Sequence, residues 1–286
     1  MKSGFVAVAG RPNVGKSTLV NALSGGKVAI VSDKPQTTRH RIFGIVNAED
    51  SQLVLVDLPG FQRPLDEMTE RMQSTVDRAF EDVEAVLFVL SARERIGAGD
   101  RFIAKRVFAL DIPVVIALNK VDRLKPGHIA TQMATGSQLG PFHALHPVSA
   151  KTGDGIPELR EELVGLLPEG RVYFPLDQRT NMPLELQLAE LIREKALHLT
   201  KEELPHAITV ELEELGEKVV RANLLVETES QKHILVGKGG SMVREIGTRA
   251  RPEFEAILGR PVYLDLQVKV RPRWRRDAAT LDRLGL

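Results

Sequence analysis

Ten residues restrict what this chain can fold into more than any other stretch: Gly10-Arg11-Pro12-Asn13-Val14-Gly15-Lys16-Ser17-Thr18-Leu19. The apolar run 5–9 precedes them, and Leu19, Val20, Ala22 and Leu23 follow at helical spacing. The glycines therefore fall where a buried strand turns into a helix, which is the context that G-x-x-x-x-G-K-[ST] requires. Glycines let successive N–H groups and the helix N-terminus face a phosphate, Lys16 brings a compact charge to the β/γ oxygens, and the Ser17 hydroxyl suits Mg2+. A strand-loop-helix opening of this kind predicts an α/β unit with a parallel sheet.

The length of 286 residues suits two domains, and 43% apolar residues supply ordinary cores. With no cysteine, the chain has no disulfide, no thiolate metal site and no thiol nucleophile. Residues 1–20 lack a signal-peptide pattern, and no apolar run approaches the ~20 residues of a membrane span, so a cytoplasmic protein is expected. The net charge of +1 conceals an asymmetry. Residues 173–215 carry 4 Lys/Arg against 9 Asp/Glu, whereas residues 216–286 carry 14 against 9, making the last part the expected polyanion surface.

After the first helix, the polar segment 33–41 contains Gln36-Thr37-Thr38-Arg39-His40, a Thr-rich loop able to offer a mobile hydroxyl to a metal. Segments 42–46 and 52–56 read as a hairpin that runs into Asp57-Leu58-Pro59-Gly60. There a carboxylate at a strand end can hold Mg2+ through water while the Gly60 N–H meets the γ-phosphate. A helix over 69–81, an apolar strand over 85–90, a helix over 99–109 and a strand over 113–118 follow, the last ending at Asn119-Lys120-Val121-Asp122. Strand ends of this kind bind ligands in α/β sheets. Asp122 can accept both adjacent N–H donors of a guanine edge, which adenine lacks. Further on, Ser149-Ala150-Lys151 could turn a backbone N–H toward the guanine oxygen.

Taken together, these five stretches resemble the guanine-nucleotide motifs of translation-factor-like P-loop GTPases, and Gly-Arg-Pro-Asn with Gln-Thr-Thr-Arg resembles the Era family. The resemblance implies GTP as substrate, Lys16 on phosphates, Ser17 and Thr38 on Mg2+, Asp57 on Mg2+ through water, Asn119 and Asp122 on guanine, and the Ala150 N–H on its oxygen. Phe61 stands where many small GTPases carry a water-orienting glutamine, and it cannot do that work. In related GTPases an asparagine at the place of Asn13 holds K+, so slow, K+-stimulated hydrolysis is expected. Arg39 and Arg41 are candidate arginine fingers, with simple solvation as the alternative.

The GTPase domain is expected over 1–172, a Pro-punctuated linker over 173–183 and a second domain over 184–286. A helix over 184–199 should bury Leu184, Leu188, Leu191, Ile192 and Leu199 and leave Arg193, Glu194 and Lys195 solvated. A hairpin over 207–227 follows, then Gly237-Lys238-Gly239-Gly240, a helix from 241, a further helix over 252–258 and a strand over 262–270. The order α-β-β-α-α-β with G-x-x-G between the middle helices resembles a type II KH domain, whose loop clamps about four unpaired nucleotides. Arg244 and Arg249 lie in the basic helix after the loop. In the tail 271–276, Trp274 could stack a base between arginines or simply dock the terminus. His143 and His146 are three apart but lack a third ligand, so no metal is assigned to them.

The second half also resembles Era proteins, except around 179–187, so the likeness covers the chain. It implies a doubly wound P-loop GTPase domain followed by an α+β type II KH domain. The implied partners are single-stranded RNA near the 3′ end of 16S ribosomal RNA and the 30S ribosomal subunit during its assembly, with the protein a monomer. The alternatives are a P-loop kinase, a vestigial nucleotide site beside an active KH domain, and a peripheral GTPase at the cytoplasmic face of the membrane.

Overall fold

The computed structural model describes residues 1–61 and 64–286. The chain divides into two units. The first comprises Met1–Val31, Thr38–Pro64 and Thr69–Asn181; the second comprises Ser32–Thr37, Leu65–Met68 and Met182–Leu286.

In the first unit the elements run β1 (Lys2–Ala9), α1 (Lys16–Ser24), β2 (Ile42–Asn47), β3 (Ser51–Asp57), α2 (Glu67–Arg78), β4 (Ala85–Ser91), α3 (Ala98–Val107), β5 (Val114–Asn119), α4 (Pro126–Gly136), β6 (Ala144–Pro147) and α5 (Ile156–Gly165). The sheet order is β2-β3-β1-β4-β5-β6, parallel except for β2, which pairs antiparallel with β3. Strand periodicity of two divides the core between the faces. Val6 and Val8 join Leu19, Leu23 and Leu159 on one face, while Ala7 and Ala9 join Val76, Phe88 and Ile103 on the other. Both faces are covered, which accounts for the unbroken apolar runs in β4 and β5. Helices α1 and α5 cover one face and α2, α3 and α4 the other, which makes this the doubly wound arrangement, with the carboxyl ends of β1, β3 and β5 along one edge.

Residues 173–181 belong to this unit and are tied to its β2/β3 hairpin. Fully buried Gln52 accepts the N–H groups of Tyr173 (2.8 Å) and Phe174 (3.0 Å) and donates to the Phe174 carbonyl (2.8 Å). The Ile45 N–H donates to the Arg179 carbonyl (2.9 Å), and the Phe43 N–H donates to Asn181 Oδ1 (2.8 Å). Residues 173–181 of the expected Pro-punctuated linker thus run as a strap along the edge strand.

The second unit contains α6 (Leu184–Leu199), a single turn α7 (Leu204–Ala207), β7 (Thr209–Leu215), β8 (Val219–Val226), α8 (Glu229–Val236), α9 (Ser241–Leu258), β9 (Tyr263–Val270) and α10 (Ala278–Arg283). Its sheet order is β7-β8-β9, antiparallel then parallel, and one core joins Leu188 and Ile192 of α6 and Ile246, Ala250 and Phe254 of α9 to Val220, Ala222 and Leu224. Three expectations fail here, the first at Leu184, which is 38% exposed rather than buried. α9 is one helix through Pro252 rather than two, because that proline sits on its exposed face. Arg193 and Glu194 are buried (0% and 3% exposed), not solvated.

Candidate functional site

The loop after β1 enters α1 through Gly15, whose φ of 97° is the left-handed region. A Cβ there would stand 2.4 Å from Asn119 Nδ2, so only glycine lets β5 approach the loop. Asn119 uses the approach: its Nδ2 donates to the Val14 carbonyl (3.0 Å), and its Oδ1 accepts from the N–H groups of Lys120 (2.8 Å) and Ala150 (3.0 Å). Lys120 Nζ donates to the carbonyl of Asn13, itself at φ 63°.

Buried Lys16 donates to the carbonyls of Gly10 and Arg11, each at 3.1 Å. Burial pushes its ammonium down to about 8, partly opposed by the charge of Asp57. Asp57 is fully buried and is raised by that burial, against hydrogen bonding from Ser17 and the charge of Lys16. The Arg11 guanidinium turns to the start of α3, with Nε 2.7 Å from Asp100 Oδ1 and Nη2 3.0 Å from Glu94 Oε2.

Three oxygen-bearing side chains converge beside Lys16. Ser17 Oγ donates to Asp57 Oδ2 (2.7 Å) and lies 2.9 Å from Thr38 Oγ1, which is 3.3 Å from the same carboxylate oxygen. Asp57 Oδ1 is buried without a hydrogen-bond partner among the described residues. Hard oxygen donors, two of them 2.9 Å apart, match neighbouring vertices of an octahedron with metal–oxygen distances of about 2.0–2.1 Å. This donor set fits Mg2+, and the unused Oδ1 fits a metal-bound water.

Beyond Gly15 lies a cleft of about 260 Å³ lined by Gly15, Thr18, Asn119, Lys120, Asp122, Ala150 and Lys151, joined by Arg93 and Arg123. Asp122 Oδ1 accepts from Ser149 Oγ (3.0 Å), which orients the carboxylate. The Ala150 N–H, expected to face a base, is held by Asn119. Sequence reasoning missed Arg93, although its place just past the carboxyl end of β4 was the available signal. Leu58, Pro59 and Gly60 follow Asp57; Gly60 packs against Pro12, whose ring a Cβ would meet at 3.1 Å. Phe61 packs against Phe80, with ring centroids 6.0 Å apart, and is apolar as expected. Thr37, Thr38 and Arg39 are all buried. His143 and His146 both reach Glu162 (3.0 and 3.4 Å), and no metal-binding cluster of His, Cys, Asp or Glu occurs among the described residues.

In the second unit, α8 opens on a reciprocal cap: the Gln231 N–H donates to Thr228 Oγ1 and Gln231 Oε1 accepts the Thr228 N–H, both at 3.2 Å. The helix ends at Gly237, and exposed Lys238 and Gly239 form a turn before α9. Arg244 and Arg249 are exposed on α9, the latter paired with Glu245 at 2.7 Å. Trp274 corrects the expectation of base stacking. It is fully buried, and its Nε1–H donates to the Ala207 carbonyl (2.9 Å), so it offers no face to a base.

A phosphate-binding loop, a magnesium-type donor set and a base cleft at one edge of a doubly wound sheet, followed by a KH fold, define a P-loop GTPase with an appended KH domain. A family model described as "50S ribosome-binding GTPase" matches residues 5–120, and one described as "KH domain" matches residues 203–275. GTPase Era of Thermotoga maritima is 45% identical across 100% of this chain and 98% of its own length; that of Heliobacterium modesticaldum is 42% identical across 100% and 97%. The crystal structure of a point variant of Aquifex aeolicus Era bound to GDP.AlF4- superposes with a TM-score of 0.96 at 38% identity, covering 100% of this chain and 99% of that one. The structure of Era in complex with MgGDPNP and nucleotides 1506–1542 of 16S ribosomal RNA gives the same identity, coverage and TM-score. The chain belongs to the Era family of GTPases, and its activity is the hydrolysis of GTP to GDP and phosphate.

Proposed function

We propose that the nucleotide state of the first unit governs binding of single-stranded RNA by the second, and that the RNA lies near the 3′ end of 16S ribosomal RNA during 30S subunit assembly. The observation that carries this reading is the Gly237-Lys238-Gly239-Gly240 turn between α8 and α9, exposed at Lys238 and Gly239, in a chain whose first unit is a P-loop GTPase. The Era relative bound to MgGDPNP and 16S nucleotides supports it. The backbone of that turn approaches RNA phosphates, with Lys238, Arg244 and Arg249 supplying charge.

In the first unit, Lys16 and the N–H groups of residues 10–18 hold the phosphates, Asn119 and Asp122 read guanine, and Ser17, Thr38 and Asp57 receive Mg2+. The metal, when bound, neutralises charge developing on the β/γ oxygens. Phe61 leaves the attacking water without a side-chain amide, so hydrolysis is slow. A K+ held at Asn13 would offset transition-state charge there. Turnover in KCl should exceed turnover in NaCl at equal ionic strength, and equal rates remove the K+ site.

The protein acts as a monomer in the cytoplasm. No helix among the described residues is long and apolar enough to cross a membrane. Exposed Arg271, Arg273 and Arg276 favour anionic surfaces generally, and liposome binding that survives excess RNA would point to a peripheral membrane role. The deciding experiment is RNA affinity with GDP and with a non-hydrolysable GTP analogue at two salt concentrations. Tighter binding with the analogue is expected; identical affinities refute the coupling.

A further inference from the structure

Phe61 directly follows Gly60, and its ring packs on the core of one sheet face rather than standing free. It meets Phe80, just past α2, with ring centroids 6.0 Å apart and planes 18° from parallel. It also meets Arg106 in the last turn of α3, whose guanidinium carbon lies 5.4 Å from the Phe61 centroid. The Phe102 ring, one turn earlier on α3, has its centroid 5.9 Å from the same carbon. Arg106 Nη2 donates to Asp77 Oδ1 of α2 (2.5 Å), and that oxygen also accepts from Gln73 Nε2 (3.1 Å). All of these residues belong to the first unit.

Both side chains of the Asp77–Arg106 pair are 45% exposed, and exposed pairs contribute little to stability, so the pair calls for another account. A guanidinium within about 6 Å of an aromatic centroid is attracted to the ring, and a carboxylate on one of its nitrogens sets where it points. Arg106 also suits the negative end of α3, but that contribution is the same whatever stands at position 61. The loop 57–61 is thereby held at both ends. Asp57 is fully buried and Leu58 is 1% exposed at the start, and Phe61 is gripped at the finish. Gly60 lies between these anchors against Pro12, whose ring a Cβ would meet at 3.1 Å. The Gly60 carbonyl and the Phe61 N and Cα share one rigid peptide plane, so fixing Phe61 restricts how Gly60 can turn.

We infer that Arg106, oriented by Asp77, is a positioning residue for GTP hydrolysis: it grips the Phe61 ring and thereby sets the direction of the Gly60 N–H toward the γ-phosphate. The inference rests on the reading of Gly60 as a γ-phosphate donor. Phe61 then has work that an apolar residue can do, as the anchor of the loop and not as a guide for water. The consequence is confined to the nucleotide that carries the γ-phosphate, because GDP gives the Gly60 N–H nothing to meet.

The test is a double-mutant cycle on the full-length protein. Arg106→Met keeps the aliphatic stem and removes the cation; Phe61→Leu keeps the apolar bulk and removes the aromatic face. In the wild type, Arg106→Met should slow single-turnover GTP hydrolysis about two- to fivefold, the worth of one cation–π contact, and leave GDP affinity unchanged. In the Phe61→Leu background the same substitution should slow it no further. Equal effects in the two backgrounds, or none in the wild type, overturn the inference, because a merely structural Asp77–Arg106 pair would act alike whatever the residue at 61. Gly60→Ala tests the premise by adding a methyl group for which Pro12 leaves no room. Hydrolysis by that variant at the wild-type rate removes Gly60 from the reaction and the inference with it. A slow Gly60→Ala beside an Arg106→Met of normal rate refutes Arg106 alone. None of these rates involves RNA, so RNA affinity that ignores the nucleotide would refute the coupling and leave Arg106 standing.

Discussion

Asn119 Nδ2 donates to the carbonyl of Val14 at 3.0 Å, so the strand that ends at the cleft also holds the loop after β1 in place. The same side chain accepts the N–H groups of Lys120 and Ala150, making one buried amide the junction of three loops. Asn119→Ala removes all three bonds and leaves two donors and a carbonyl to find water. At about 1 kcal/mol net for each, the loss is about 2–3 kcal/mol, or roughly 30- to 150-fold in affinity. The loss should be shared by GDP and GTP, because it acts on the loop as well as the base. Calorimetric titration of both nucleotides checks this; a defect confined to one of them would contradict it.

Lys16 sets a pH dependence. Burial lowers its ammonium from 10.5 to about 8, while Asp57 is the anion facing it. For stability, the depressed value means a cost of burying charge that is fully present below pH 8 and disappears between pH 8 and 10.5, so this group makes the fold more stable as pH rises through that window. Nucleotide binding has the opposite sign. Phosphate favours the charged ammonium, so above pH 8 binding takes up a proton and affinity falls as pH rises. At pH 8.5 uptake should approach about 0.7 proton, and at pH 7 about 0.1. Calorimetry of GDP binding in buffers of different ionisation enthalpy reads this directly, and no uptake at pH 8.5 would remove the shift.

Much of the nucleotide site was legible because core strands announce themselves as apolar runs, and polar residues at their carboxyl ends stand out. Asp57, Asn119 and the residues around Gly15 were found in that way. Arg193 was not, because helical periodicity placed it opposite Leu188 and Ile192, where solvent is the ordinary expectation. Its bond to the Thr37 carbonyl joins positions 156 apart, which no local pattern announces. The strap over 173–181 was hidden for a similar reason. Its prolines speak for an extended chain but not for Gln52, whose amide supplies the partners that a neighbouring strand would otherwise provide.

Trp274 shows the same limit from the other side. Four arginines around a tryptophan read as a surface able to stack on a base, yet the indole is buried and bonded to a carbonyl 67 residues earlier. Trp274→Phe keeps an aromatic ring but loses the N–H and part of the packing, and should lower the stability of the second unit by about 1–3 kcal/mol. RNA affinity of the folded variant should stay within about twofold. Denaturant unfolding and an RNA titration on the same sample test both halves. An RNA defect without loss of stability would restore a direct role for the ring.

Gly239 separates RNA binding from GTP chemistry. Its φ of 60° is one that aspartate tolerates better than most residues, and a Cβ there would meet nothing within 4 Å. Gly239→Asp should therefore fold. It would place a carboxylate on the exposed turn where the backbone is to meet phosphate, replacing a close approach by repulsion. RNA affinity should fall by at least about tenfold, and the salt dependence of what remains should flatten by about one counterion. GDP affinity and intrinsic hydrolysis, which draw on residues of the first unit, should stay within about twofold of the wild type. If the variant bound RNA as tightly as the wild type, the turn would lie off the RNA path and recognition would have to be sought on the arginines of α9.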